Sequence, residues 1–430
     1  MLTAVETERE NSKRWIWITL AVVAFLGVFS WLYLRDDELL PDDDLIVERA
    51  AVSEAENGYD LVMALGDEIG FEGSGEAWLQ GFKYGLDPWD GARAARMLEG
   101  QDAAQEVLRA LAEKQVIAVP RAGVVDYHGS DIIEKVSFLG NLNFISICLA
   151  ADSGDRSRVL EGLRRGRDLA VQLEAGSLSP SHLVLGVGLR MDVLRAAEIL
   201  TVSRLFRDSE CRKEALAALD GWEMDVLWRD GMMDEYQAFK DMLVEMKREG
   251  NIASRIGHSR NSWAVPTLRL KVNRTVNLAA GDVRETLRAE AGTWQEWKIR
   301  IPEVRKITPV RVYLAPNGTG EAVLGVCSPA IPGVLLSMLR LKSRMEMCHV
   351  LFALRDYEER NGMLPGTLAE LVPEFLNAPP KDWMDGGSIR YNAARGMLWS
   401  VGTNLTDEGG RPESSRDDCV RIPWVIPSGK

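Results

Sequence analysis

The sequence predicts a mainly α protein with three parts: an N-terminal transmembrane helix, an irregular helical bundle, and a small α+β C-terminal domain made of a long helix and a short antiparallel sheet. Three observations carry this. Trp15 to Leu34 is a run of twenty residues without a charge. From Asp131 to Gly250, apolar residues recur at helical spacing between short breaks. After Arg360 the period changes to short strand-like runs, joined by turns rich in glycine, asparagine and aspartate.

The first run, WIWITLAVVAFLGVFSWLYL, matches a hydrocarbon core of about 30 Å at about 1.5 Å per helical residue. Lys13 and Arg14 precede it, whereas Arg35 is followed by Asp36, Asp37, Glu38, Asp42, Asp43 and Asp44. The positive-inside rule then puts the N-terminus in the cytoplasm and the bulk outside the inner membrane. Trp15, Trp17, Trp31 and Tyr33 mark the two ends, where amphipathic rings favour the headgroups. A cleaved signal peptide and a buried core helix are the competing readings; the length of the run and its SWLYLR end stand against the first.

The division expected along the chain is a cytoplasmic tail (1–14), a single membrane span (15–34), an acidic stalk (35–44), an extracytoplasmic helical domain (45–300), a connector (301–330) and a C-terminal module (331–430). The stalk carries too many carboxylates to bury itself. Helical patterning follows over Leu45 to Leu65, interrupted near Asn57 and Gly58, and again over Ala92 to Lys114. Ile132, Val136, Leu139, Ile145 and Leu149 make one apolar face. Val159, Leu163, Ala170 and Leu173 make the next. Ser179 and Pro180 supply an N-cap and a first helical position for a helix running through Arg204. Ser209 to Trp228 and Met232 to Glu249 complete the set. Ala264 to Trp297 reads as further helix, and Lys306 to Val326 as extended chain or loop. Pro332 to Arg360 is the long helix of the C-terminal module.

The composition is globular, with 46% hydrophobic and 27% charged residues. Fifty-one basic against 64 acidic residues leave a net charge of -13, which argues against nucleic-acid binding by phosphate neutralisation. The five cysteines, Cys148, Cys211, Cys327, Cys348 and Cys419, contain no CxxC. That excludes a zinc ribbon and leaves at most one disulfide, such as Cys327 with Cys348, in an oxidising compartment.

Ala150 to Leu163 (AADSGDRSRVLEGL) resembles the helix-turn-helix of a tetratricopeptide repeat, but no 34-residue period recurs. One tetratricopeptide-like helix pair inside an irregular bundle is therefore expected. Asp356-Tyr357, Asn361 to Pro365, Leu371-Val372-Pro373, Pro380 to Trp383, Ile389-Arg390-Tyr391, Leu398 to Gly402, Asp407 to Gly410 and Asp417-Asp418 follow in an order that resembles the soluble domain of the major pseudopilin of type II secretion. The helical middle resembles uncharacterised bacterial membrane-anchored proteins that end in the same module. The resemblance implies a long helix packed on a small antiparallel sheet and an acidic loop that binds calcium. The residues matching that loop are Asp407, Asp417 and Asp418, with Glu408 and Asn404 as helpers; hard cations take such oxygen ligands. A solvated turn that merely ends the strands is the other reading of these acids. No pseudopilin processing site precedes Trp15, and some 300 residues separate the hydrophobic run from the module, which sets the chain apart from a pilus subunit.

Catalytic signatures are missing: there is no GxxxxGK[ST], GxGxxG, HExxH or GxSxG, and only four histidines occur. Met345, Cys348 and His349 share a helix face suited to a soft metal, or line the core. Asp126, Tyr127 and His128 form a local acid, phenol and imidazole group, or a plain turn. Ser259 and Ser262 beside His258 pair in sequence only. The arginines of RRGRD (Arg164 to Asp168) read as a solvated helix face, and the sequons at Asn273, Asn317 and Asn404 matter only in a glycosylating pathway. The function expected is a membrane-anchored extracytoplasmic scaffold or binding protein of the bacterial envelope without catalysis. A component of a type II secretion or pilus-like assembly, and an envelope enzyme, are the alternatives.

Overall fold

The computed structural model describes residues 2–48, 52–66, 69–71, 73–118, 129–176, 180–219, 224–249, 270–288, 292–300, 315–327, 330–411 and 417–423. The chain is mainly helical, with one three-stranded antiparallel sheet among the described residues. Its two compact units are not contiguous stretches. One unit combines Met1–Leu45, Tyr236–Arg284 and Glu303–Pro329; the other combines Ile46–Glu235, Glu285–Pro302 and Ala330–Lys430.

In the first unit, α1 (Leu2–Leu34) is one continuous helix of 33 residues. Its apolar side chains face outward, with Trp15, Trp17 and Phe25 about 70% exposed. The acidic segment after it is not a free stalk. Its carboxylates and carbonyls find donors along α11 (Val272–Arg288) and α10 (Met224–Glu249). Asp36 accepts from the Asn273 and Arg274 amides, and Asn273 donates to the Asp37 carbonyl. Asn277 bridges the Glu38 carbonyl and the Leu40 amide, and Arg284 holds the Pro41 carbonyl and the Asp44 carboxylate. Asp42, 8% exposed, accepts from Tyr236 at 2.6 Å and Lys240 at 2.7 Å. Acids that a sequence marks as solvated are thus used as acceptors for a neighbouring helix. Where extended chain or loop was expected over Lys306 to Val326, residues from Gly318 form helix α13 (Gly318–Cys327); 301–314 lie outside the described residues. Asn317, fully buried, enters this helix by accepting from the Lys271 amide and donating to Thr275.

In the second unit the order begins with α2 (Tyr59–Met63), α3 (Gly75–Lys83), α4 (Gly91–Leu98) and α5 (Asp102–Leu111). Helix is shorter here than its apolar spacing suggests. Among the described residues of 45–65 only α2 is α-helical, and Gly100, at φ +75°, divides α4 from α5. Then come α6 (Gly129–Ser153), α7 (Arg156–Ala175), α8 (Pro180–Leu200) and α9 (Ser209–Leu219). Pro180 opens α8 as expected, whereas Ser179 lies outside the described residues. Gly154, at φ +73°, and Asp155, which caps the Arg158 amide, turn α6 into α7. The pairs Ile147 with Gly162 and Asn143 with Gly166 show that the two run antiparallel. Glycine allows the approach: a Cβ at Gly162 would lie 2.5 Å from Ile147. Glu174 with Arg190 and Gly166 with Val193 make α7 and α8 antiparallel as well.

α6 is the one described helix long and apolar enough to cross a membrane, over Asp131–Ser153; the apolar stretch described in α1, Trp17–Trp31, is shorter. Yet 72% of the α6 window is buried inside the protein. Ile132, Val136, Leu139 and Leu142 pack with Val62, Leu108, Leu173 and Leu189 in one core. Apolarity there serves packing.

The C-terminal module starts with α14 (Ala330–Asn361), 32 residues long. The strands β1 (Arg390–Asn392), β2 (Met397–Ser400) and β3 (Asp418–Arg421) form an antiparallel sheet in the order β1-β2-β3. Arg390 pairs with Trp399, and Ser400 with Asp418. Met347, Leu351 and Leu354 of α14 pack on Leu371, Ile389, Leu398 and Val420. A short helix, α12 (Trp294–Arg300), joins through the Trp294 amide, which donates to the Trp383 carbonyl.

Candidate functional site

The sequence points first to the acidic loop between β2 and β3. Gly402, Leu405, Gly409 and Gly410 adopt positive φ and fold it tightly; a Cβ at Gly410 would meet the Trp399 ring at 2.6 Å. Each acid in it has another partner. Asp407 accepts from Trp399 Nε1 and the Gly409 amide, both at 2.9 Å. Asp417 accepts from the Glu408 amide at 3.2 Å and the Gly410 amide at 2.9 Å. Asp418 faces away to α14, where Arg340 holds it bidentately at 2.7 and 2.5 Å. Asn404 donates to Glu408. The Arg390 guanidinium lies 3.9 Å from Asp407, and its charge opposes a second cation. Among the described residues no three His, Cys, Asp or Glu side chains gather for a metal. Asp407, Asp417 and Asp418, the residues that the resemblance implies for calcium, each hold a different group here; 412–416 lie outside the described residues.

Next to this loop is a centre that the sequence reading missed. Asp382 is fully buried. It accepts from Ser400 Oγ at 2.7 Å, Ser343 Oγ at 3.2 Å, the Met384 and Val401 amides at 3.0 and 3.1 Å, and Arg390 Nη1 at 2.5 Å. One carboxylate thereby ties α14, β1 and β2 together. Five donors offset the large desolvation cost of a buried charge. The motif Pro380 to Trp383 was visible, but nothing in the spacing singles out its aspartate.

The helical part of this unit has its own buried ions. Lys83 donates to Asn141 at 2.6 Å and Asp192 at 2.5 Å, with its ammonium 4.9 Å from the Phe144 ring centroid. Arg190 pairs with Glu174, the two being 1% and 4% exposed. Burial nonetheless raises the Glu174 pKa, since desolvation outweighs the guanidinium. Arg212 reaches Asp356 and Glu359 on α14. A small cavity between α6, α7 and α8 is lined by Gly140, Asn143, Phe144, Gly166, Asp192 and Val193. Its walls are mostly apolar, and its polar neighbours are the groups that hold the helices together.

The remaining sequence candidates separate. Cys348 is fully buried with its thiol pushed well above the usual range by burial, which disfavours the thiolate a soft metal wants. Cys148, Cys211, Cys348 and Cys419 are free thiols, so the Cys327–Cys348 pairing does not form. Arg165 pairs with Glu161 and Arg167 with Asp168. Asn317 is buried and Asn273 donates to Asp37, so neither sequon offers a free amide. Asp126, Tyr127, His128, His258, Ser259 and Ser262 lie outside the described residues.

No family profile, curated protein or solved structure matches this chain.

Proposed function

We infer that the protein is a membrane-anchored scaffold or binding protein of the bacterial cell envelope, held by residues 15–34 and working without catalysis of its own. One observation carries the reading: a 33-residue helix carries a run of twenty uncharged residues whose described apolar side chains between Trp15 and Trp31 face outward, on a chain of net charge -13. Water does not tolerate that surface, and a bilayer does. The apolar window of α6 is the opposite case, since the protein itself covers it. Lys13 and Arg14 before the run support a cytoplasmic N-terminus, with the bulk outside. Protease digestion of spheroplasts tests this: the chain beyond Leu34 should be cut and the tail protected, and the reverse pattern would sink the orientation.

The architecture of the module supports a second reading, a component of a type II secretion or pilus-like assembly. A long helix, α14, packs on a three-stranded antiparallel sheet, as the pseudopilin resemblance implies. Copurification with pseudopilins from detergent extracts would favour it; a monomer free of them would count against it.

A further inference from the structure

The contacts of Asp36 place two helix ends within two residues of the hydrophobic run. Its carboxylate accepts from the Asn273 and Arg274 amides in the first turn of α11, and it lies 3.5 Å from Lys247 Nζ in the last turn of α10. Two residues of chain span at most about 7 Å. The headgroup layer is roughly 5–8 Å deep on each side of the hydrocarbon. Both helix ends therefore lie at the headgroup level if Leu34 ends the span.

Four basic side chains stand there among the acids Asp36, Asp37, Glu38 and Glu245: Arg35, stacked on Trp31, with Lys247 (57% exposed), Arg248 (74%) and Arg274 (42%). Their acidic partners stand at 3.1 to 4.0 Å in exposed pairs, Lys247 with Asp36, Arg248 with Glu245 and Arg274 with Asp37. Such pairs are weak and exchange readily for a phosphate. The strap from Asp36 to Asp44, bonded to Asn273, Asn277 and Arg284 along α11, keeps the helix ends from drifting off.

We propose that Lys247, Arg248 and Arg274 dock the first unit directly on phospholipid headgroups, with the strap as the clamp that holds them there. The inference rests on the anchor reading and goes beyond it: an anchor on a loose tether would leave these side chains in bulk water.

The test uses the full chain in nanodiscs of mixed phosphatidylglycerol and phosphatidylcholine, with Cys327 and Cys419 changed to serine. A bimane is placed by Val244→Cys, an exposed position one turn before Arg248 that leaves all three cations in place, or by Val23→Cys. Nitroxide lipids labelled at the headgroup should quench the probe at 244, and lipids labelled deep in the chain should quench the probe at 23. Adding Asn277→Ala and Arg284→Ala should cut the quenching at 244 by about half or more, because a loosened strap lowers the effective concentration of the cations at the surface. The probe at 23 should be unaffected. If 23 is quenched and 244 is not, docking is wrong while the anchor stands. If 244 stays quenched after the strap is released, the clamp is wrong. If 23 escapes deep quenching, the anchor itself falls and docking with it.

Discussion

Arg344 on α14 and Glu198 on α8 form a two-pronged ion pair with both contacts at 2.5 Å, each side chain less than a tenth exposed. The remaining guanidinium nitrogen donates to the Cys419 carbonyl in β3, so one arginine joins the helical array to the sheet of the module.

Glu198→Gln should lower stability by about 3–5 kcal/mol, the usual result of leaving one buried charge without its partner. Replacing both, Arg344→Met with Glu198→Leu, should recover most of that loss, because two apolar side chains need no solvation. Thermal melting of the detergent-solubilised chain compares the three. A double variant no better than the single would mean that the pair is net stabilising.

Two glycines should respond in opposite directions to alanine. At Gly176 a Cβ would lie 2.1 Å from the Ile117 carbonyl oxygen, a backbone atom that cannot rotate away. Gly176→Ala should cost about 1–3 kcal/mol through overpacking. Gly188, inside α8, has nothing within 4 Å, and alanine there should stabilise by up to about 1 kcal/mol through helix propensity. Equal melting temperatures for the two variants would contradict the packing described.

Stability should fall as pH rises from about 4.5 through 7, on account of Glu235. Desolvation pushes its carboxyl from 4.5 up to about 7. Over that window the folded state holds a proton that the unfolded state has released, so raising the pH favours unfolding. Glu235→Gln should flatten this part of the profile; an unchanged slope would place the titration elsewhere.

Asp418→Ala should lower the melting temperature slightly, by the equivalent of about 1 kcal/mol or less, since it removes a partly exposed ion pair with Arg340. The loss should be the same in calcium and in chelator. A calcium-dependent rise that vanishes in this variant would instead place the metal on the loop.

Periodicity located most of the helices because it reports which face is buried. Ile132, Val136 and Leu139 behave as their spacing says, and Pro180 opens its helix. The short strands after Arg360 likewise follow from their turn residues, and their antiparallel pairing is what the pseudopilin resemblance implies. Long-range partners left no such trace. Asp36 and Asp42 look solvated beside Asp37 and Asp43 until α11 and Tyr236 supply donors from more than 190 positions away. Asp407, Asp417 and Asp418 are grouped by the resemblance to the acidic loop of pseudopilins, and spacing gives no hint that their partners are Trp399, backbone amides and Arg340. Asp382 is the converse: a single acid in a short motif whose importance comes from serines on two other elements.

The strap also sets a schedule for biosynthesis. Asp36 meets Asn273 across 237 residues. At about 5–20 residues per second, the ribosome needs about 12–50 s to deliver that partner after Asp36 has emerged. During that interval the acceptors of the strap face solvent or a chaperone, and the nascent chain hangs from its hydrophobic helix on a leash that tightens only when α11 arrives. An early truncation of the gene should therefore yield a tethered fragment whose juxtamembrane acids are open to proteases that the complete protein resists.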